Sequence, residues 1–405
     1  MRTVVFVGPF FTAKTIRYVH RLTELSGVRA AVISSDPLRK LPGDLTSRLS
    51  GFCRVGNCLD GEELARALRE ISDQAGPVER LFGALEQLQM PLAVARDRAG
   101  VPGMGAKVAR RFRDKSAMKE ALRAGQVPCA RYVRVTHPDD ARGFVNDVGF
   151  PVIIKPVDGL GTRSTWRLES AEALEQALHA LSPCEERPLQ CEEFLQGTEH
   201  SFETVTIDGE PVWSSSTNYI PGPLEVMNTP WIQYCVVLPR ETEVMEEFRE
   251  VNRSALKTLG MGTGISHMEW FRRPDGSVAV NEVGARPPGV NIMPLMSAAH
   301  EVDFFGAWIR LMALDEFDPP ERRYAAGSAF LRGQGHGQRV VAVDGLEEVL
   351  RDLGDAVVSV VRPRVGQPRA TGYEGEGYVI LRGSTTEEVM RGLARVIRTV
   401  RVVLG

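Results

Sequence analysis

The stretch VIIKPVDGLGTRST (152–165) ends an apolar run on a lysine and follows it with a Gly-x-Gly turn carrying hydroxyls and an arginine. Phosphate oxygens need donors in a concave arrangement. Lys155 offers a cation, and Gly159 and Gly161 let backbone N–H groups come close. A plain hairpin with a decorated tip would use the same residues. In QCEEFLQGTEHSFE (190–203), Glu192-Glu193-Phe194-Leu195 reads as an ordinary edge strand. It reads equally as a segment presenting main-chain N–H and C=O to an adenine edge, with Glu199 accepting from ribose hydroxyls. Spacing alone leaves both open.

Glu269 in SHMEWF and Glu282 in VAVNEVGARPPG lie in two expected strands joined at Pro274-Asp275-Gly276. Hairpin pairing would bring the carboxylates together. Two carboxylates suit Mg²⁺, which takes few protein oxygens and shares the rest of its shell with nucleotide phosphates. Glu282 sits in an apolar strand beside Val280 and Val283, an awkward place for an unpaired charge. The alternatives are a pair of solvent-facing strand residues, or Glu282 held by Arg286.

The opening stretch GPFFTAKT (8–15) nearly matches the phosphate loop G-x-x-x-x-G-K-[ST]. Ala13 puts a Cβ where that loop needs glycine, Pro9 has no N–H to give, and Phe10 and Phe11 crowd the turn. The stretch is read as the first strand-to-helix turn, with Lys14 able to meet a carboxylate at the carboxyl edge of an open α/β sheet.

Short apolar runs alternate with helical segments over residues 1–105: TVVFV, a helix near 13–26, VRAAVISS, then GEELARALREISDQ and LFGALEQLQMPLAVARDRAG as helices. That rhythm implies a partly parallel sheet. A basic helix follows at 107–125. Next come the strands ARYVRV and FPVIIKP around a helix opening at HPDD, the strand TWRLES, a helix at 171–181, and two strands turning at Asp208-Gly209. The aromatic, Pro-rich TNYIPGPLEVMNTPWIQYCVVLP (217–239) reads as a pocket-lining loop, with Tyr219, Pro223, Trp231 and Tyr234 facing a substrate or an interdomain contact. Helices are expected at 241–259, within 294–313, at 344–354 and at 385–398, the last two among the strands of a small α+β unit.

The chain has 405 residues, 43% hydrophobic and 25% charged, with a net charge of −3. These values fit a globular protein of about two to four domains. They give no general reason to expect nucleic acid or an anionic membrane as partner. The N-terminal apolar run is too short for a signal peptide, and no stretch approaches the ~18–20 apolar residues that span a bilayer. Six scattered cysteines without a C-x-x-C pair suggest reduced thiols and a cytoplasmic setting. The seven histidines form no H-E-x-x-H, so a zinc enzyme is not expected.

Taken in order, Lys115, Lys155 with its glycine turn, E-E-F-L with Glu199, then Glu269, Glu282 and Arg286 resemble the ATP-grasp superfamily. Within it the chain looks like the carboxylate–amine ligases, the group of L-amino-acid ligases and relatives of biotin carboxylase. The resemblance covers nearly the whole chain. It implies a mixed α/β and α+β architecture: a pre-ATP-grasp parallel-sheet domain over 1–105, a two-lobed ATP-grasp domain over 106–318 with a lid lobe at about 130–190, and a small C-terminal α+β domain over 319–405.

It further implies ATP and Mg²⁺ (or Mn²⁺), with two ions. Lys115 and Lys155 would meet the phosphates, Lys155 also lying near adenine. Gly159, Gly161, Thr162, Arg163 and Ser164 would form the loop closing over the β- and γ-phosphates. Glu192, Glu193, Phe194 and Leu195 would frame adenine, and Glu199 would bind ribose. Glu269 and Glu282 would hold the metal. Arg286, His267 and Arg163 would act at the reacting centre, and Lys14, Tyr219, Trp231, Arg286 and Arg332 are the substrate-binding candidates.

The partners so implied are a small carboxylate and an amine, with room for a homodimer. The implied reaction joins them as an amide or peptide through an acyl-phosphate, releasing ADP and phosphate. A carboxylase or phosphotransferase on the same scaffold, or a non-catalytic nucleotide-binding module, are the rival readings. Two departures stand out. Many relatives carry Asn two residues after the second metal glutamate, whereas here Asn281 precedes Glu282 and would point to the opposite face, a water taking its place. Ser164 stands where glycine is common.

Overall fold

The chain is described by a computed structural model covering residues 1–159, 165–241 and 246–405. Its strands form separate sheets. The first is parallel, in order β3-β2-β1-β4, from β1 (Arg2–Val7), β2 (Val28–Ser34), β3 (Gly51–Arg54) and β4 (Val78–Phe82). Val4, Val5, Phe6 and Val7 are all buried, as expected of a parallel strand covered on both faces. Helices Gly61–Ala75 and Gln89–Ala99 share one core with this sheet. Helices Ala13–Thr23 and Phe304–Leu314 cover the other face, where Tyr18 and Phe82 meet Trp308 with ring centroids 5.0 and 5.5 Å apart.

A second sheet, called here the lid sheet after the expectation above, runs in order β5-β8-β6-β7: β5 (Tyr132–Val135), β6 (Val152–Pro156), β7 (Trp166–Leu168) and β8 (Leu189–Glu193). The largest sheet runs β13-β12-β9-β10-β11-β14-β18-β17. It comprises β9 (Thr198–Ile207), β10 (Glu210–Ile220), β11 (Tyr234–Leu238), β12 (Gly264–Arg272), β13 (Val278–Gly284), β14 (Ala325–Leu331), β17 (Val357–Val361) and β18 (Gly377–Gly383). It crosses position 318 without interruption, because β11 pairs antiparallel with β14 from Tyr234↔Phe330 to Leu238↔Ala326. The strands β15 (Gly333–Gln334), β16 (Val340–Asp344) and β19 (Arg401–Leu404) make a small terminal sheet.

Some local expectations need correcting. The segment 217–239 is mostly regular: β10 runs to Ile220, a short helix follows at Pro223–Asn228, and β11 begins at Tyr234. The continuous apolar run YCVVL is buried on both faces, Val236 and Leu238 in one core and Cys235 and Val237 in another, and that run outweighs the prolines as a structural signal. Residues 81–100 are not one helix, since Leu81 and Phe82 end β4 and the helix begins at Gln89. The basic segment is two helices, Ala106–Arg113 and Lys115–Ala124. They are separated at Asp114, whose carboxylate accepts from the N–H groups of Ser116 and Ala117 and caps the second. The segment within 294–313 is likewise two helices, Ile292–His300 and Phe304–Leu314. No described helix is long and apolar enough to cross a membrane.

Candidate active site

The opening turn is a strand-to-helix corner. β1 ends at Val7, Thr12 caps the helix at Ala13–Thr23 by accepting from Thr15 N–H, and Pro9 O is taken by Ser35 N–H. Lys14 stands on the first turn of that helix, exposed, within electrostatic reach of Glu374 and Arg286. Partial desolvation lowers its ammonium, and Glu374 opposes that shift.

A buried charged cluster lies between the lid sheet and the large sheet. Lys115 opens its helix and donates from Nζ to Gly159 O at 2.9 Å, and it stands 3.0 Å from Glu282 Oε1. One turn on, Lys119 is fully buried, donates to Val280 O at 3.1 Å and lies 3.7 Å from Glu192 Oε1. Lys155 at the end of β6 lies 2.9 Å from Glu192 Oε2. Gln190 also donates to Glu192, and Ser116 Oγ donates to Gln190 at 2.9 Å.

Burial alone would raise the Glu192 carboxyl, but Lys119 and Lys155 overcome it and bring it down to about 2. Burial likewise works against the Lys155 ammonium, yet Glu192 and Glu282 leave it raised above its ordinary value. For Lys119 burial prevails, and the ammonium is lowered despite Glu192.

This cluster closes one end of a narrow cavity lined by Lys155, Glu192, Phe194, Leu195, Glu199 and Glu282. Phe194 lies in its wall with the Arg167 guanidinium 4.1 Å from the ring centroid. Glu193 also lines this cavity, and its carboxylate takes Arg131 N–H at 2.9 Å and Arg131 Nε at 2.7 Å, with Arg273 at 3.4 Å. Glu192 likewise contributes its side chain to the lysine cluster and not only its backbone. Glu199 is half-buried in the wall, and desolvation together with Glu269 raises its carboxyl well above the ordinary range. Gly161, Thr162, Arg163 and Ser164 lie outside the described residues.

The two hairpin carboxylates stand in register, Glu269 opposite Glu282. A β-bulge follows immediately, so Asn281 and Glu282 together oppose Glu269. The bulge overturns the simple alternation by which Asn281 was to face away. Its Nδ2 reaches Glu269 Oε2 at 3.4 Å, and its side chain lines the same cavity as both carboxylates. Glu282 is met by Lys115, not by Arg286. Among the described residues no group of three or more His, Cys, Asp or Glu is arranged to hold a metal. Glu269, Glu282 and Asn281 line one cavity, and theirs are the oxygens there that could meet a hard cation, with most of its shell left to other ligands.

Glu269 also lines a second cavity of about 500 Å³, with Tyr219, Tyr234, His267, Arg286 and Glu374 among its walls. His267 is buried, with Nδ1 2.8 Å from Glu203 Oε1 and Nε2 3.8 Å from Glu269 Oε1. Burial opposes its charge, but these carboxylates raise the imidazolium to about 9. Arg286 is held by Glu86 of the first unit, at 3.1 Å from Nε and 2.9 Å from Nη2. Arg332 is buried away from this lining, donating to Val226 O at 2.5 Å and Thr229 O at 3.2 Å, and so ties down the short helix Pro223–Asn228. Trp231 is 60% exposed and outside the lining.

Sequence reasoning passed over Lys119, Gln190, Glu203 and Glu86. Lys119 was within reach, because it follows Lys115 by one helical turn and shares its face. Glu203 pairs across the sheet with His267, a register that becomes visible only once β9 and β12 are known to be neighbours. Glu86 meets Arg286 from 200 positions away.

An ATP-grasp domain model matches residues 120–290. The L-arginine-specific L-amino acid ligase of Bacillus subtilis is 23% identical over 237 residues, 57% of this chain and 57% of that protein. The alanine–anticapsin ligase of Bacillus subtilis strain 168 is 26% identical over 263 residues, 58% of this chain and 55% of that protein. The matched region thus spans little more than half the length of either relative. The crystal structure of an L-amino acid ligase from Bacillus licheniformis superposes with a TM-score of 0.74 at 17% identity, covering 100% of this chain and 99% of that one. N5-carboxyaminoimidazole ribonucleotide synthetase from Thermotoga maritima gives 0.70 at 18% identity, covering 100% of both chains. The stretch that carries the paired hairpin carboxylates thus matches an ATP-grasp domain, and the whole chain shares the fold of these two solved structures.

Proposed function

We propose that this chain is an ADP-forming carboxylate–amine ligase, its units 1–105, 106–318 and 319–405 acting as pre-grasp, grasp and closing domains. The observation that carries this reading is the position of Glu269, shared between the narrow Lys155–Glu199 cavity and the 500 Å³ cavity holding Arg286 and His267. A nucleotide in the first and a carboxylate in the second would meet at that residue.

A carboxylate is a poor acyl donor, because its leaving group would be oxide. Transfer of the ATP γ-phosphoryl group gives an acyl-phosphate and ADP, and an amine then displaces phosphate to give the amide. Lys115 and Lys155 hold the phosphates, and Arg286 and His267⁺ face the oxygens that gain charge. Mg²⁺ held by Glu269 and Glu282, with Asn281 beside them, neutralises phosphate oxygens when bound. Glu193 enters only through its backbone, and Glu199 takes the ribose. Lys14 and Arg286 offer the substrate carboxylate its cations, and Glu374 offers an acceptor to an ammonium in the same cavity. The names of the two Bacillus ligases support amino acids as the substrate class.

ADP release measured over a panel of amino-acid pairs tests the proposal. A ligase needs both an acid and an amine, a kinase needs one acceptor, and a binding module releases none. Glu282→Ala and Arg286→Ala should each abolish substrate-dependent ADP release with the fold intact. Undiminished turnover in both would sink the mechanism.

A further inference from the structure

A separate cavity of about 360 Å³ opens where the first unit, the linker at 102–105 and the large sheet meet. It shares no lining residue with the cavities around Glu269. Arg96, on the helix Gln89–Ala99, lines it while only 7% exposed. No hydrogen-bond partner reaches its Nε among the described residues.

A guanidinium removed from water without an acceptor is costly. The surroundings accommodate it by shape, not by charge. Gly103 lies so close that a Cβ there would come within 2.9 Å of Arg96 Cδ and 3.3 Å of Nη1, and the backbone at Gly103 has φ +139°. Leu81, Val108 and Met312 supply apolar wall. Burial pulls the Arg96 guanidinium down to about 10, with Asp97 only partly opposing. The acids on the lining have partners other than Arg96: Asp315 meets Arg80 at 2.5 Å and Arg2 at 3.4 Å, and Asp208 accepts from Thr263 Oγ1 at 3.3 Å. Arg80 stands on the same lining with its charge met by Asp315, which leaves Arg96 as the cation that an occupant would meet.

We infer that this cavity is a binding site for a small oxyanion, a carboxylate or a phosphate, held by Arg96 at the junction of the first unit with the grasp. The inference does not depend on the ligase reading, since the site is built from other residues and its readout is binding. An occupant would touch the first unit, the linker and the loop Gly260–Thr263 at once, so its binding is linked to how these parts pack.

Calorimetric titration of the full chain with inorganic phosphate, and separately with acetate, at fixed ionic strength set by chloride, tests the site. Any phosphate bound in the lysine cluster is common to wild type and variants, so the comparison isolates Arg96. The expected result is a component in at least one titration that weakens by about tenfold or more in Arg96→Met, which removes charge while keeping bulk. Gly262→Leu, built toward Met104 with Arg96 untouched, should fill the cavity and weaken the same component. The difference between the phosphate and acetate arms identifies the anion class. Superimposable isotherms for wild type and the folded variants would overturn the inference, as would the absence of binding by either anion.

Discussion

Replacing Glu192 by glutamine keeps the shape of the lysine cluster and removes its central charge. Lys119 and Lys155 are then left with side chains only 1% and 8% exposed, having lost a carboxylate that stood 3.7 and 2.9 Å away. Breaking a buried ion pair by removing one partner costs about 3–5 kcal/mol, because the remaining charge stays desolvated. Glu282 still acts on Lys155, so the lower end, ~3 kcal/mol, is expected, equivalent to ~150-fold in the unfolding equilibrium. Urea denaturation followed by tryptophan fluorescence measures it. Adding Lys119→Met removes the stranded ammonium and should restore at least ~1 kcal/mol, a coupling expected of groups in direct contact. The acid limb provides an independent reading. With the folded carboxyl at about 2 and an unperturbed value of 4.5, the Glu192 contribution is complete above pH 4.5 and is lost as pH falls toward 2. Glu192→Gln should therefore flatten stability against pH in that window. A variant within ~1 kcal/mol of wild type, or a double variant no more stable than the single, would refute the account of the cluster.

Other substitutions probe the site more locally. Asn281→Ala should raise the Mg²⁺ concentration needed for half-maximal ADP release several-fold while leaving the thermal midpoint unchanged; an unaltered Mg²⁺ titration would return Asn281 to a bystander. Glu86→Gln frees Arg286 from its carboxylate and should change the KM for the acid substrate more than that for ATP, as read from initial rates with each substrate varied. Arg332→Met removes the anchor of the helix Pro223–Asn228 and should cost about 1–3 kcal/mol by denaturation. Trp231→Ala, at an exposed position, should stay within ~0.5 kcal/mol and leave turnover unchanged.

The parts of the site that could be read from sequence are those fixed by local geometry. A hairpin at Pro274-Asp275-Gly276 forces Glu269 and Glu282 toward each other, and period-two alternation places His267 beside Glu269. The same alternation failed at Asn281, because a bulge inserts a residue with no sequence marker beyond its effect on facing. Tyr219 and Tyr234 stand out as aromatics near a proline-rich turn, but the prolines between them hide the fact that β10 and β11 enter the large sheet. Arg332 looked like a substrate ligand because its charge is visible, while the carbonyls that consume it lie about a hundred positions away. The Glu86–Arg286 pair was out of reach for the same reason: long-range partners are set by how units dock, not by residue spacing.

The uninterrupted hydrogen bonding from β13 to β17 also bears on the mechanics of the molecule. A sheet transmits displacement along its ladder, so the strands carrying Glu269 and Glu282 and the strands reaching the terminal unit form one stiff plate. Separating them would mean breaking the ladder between β11 and β14, five residue pairs long. Among the described residues the lid sheet has no ladder to that plate. It is joined instead through the helix Lys115–Ala124, which meets it by Lys115 N–H to Val157 O at 2.9 Å and Ser116 to Gln190, and meets the plate by Lys119 to Val280 O. In the proposed ligase, a nucleotide would therefore be admitted and enclosed most cheaply by a swing of this small sheet against the plate, pivoting where the two lysines on one helix meet Glu192 and Glu282.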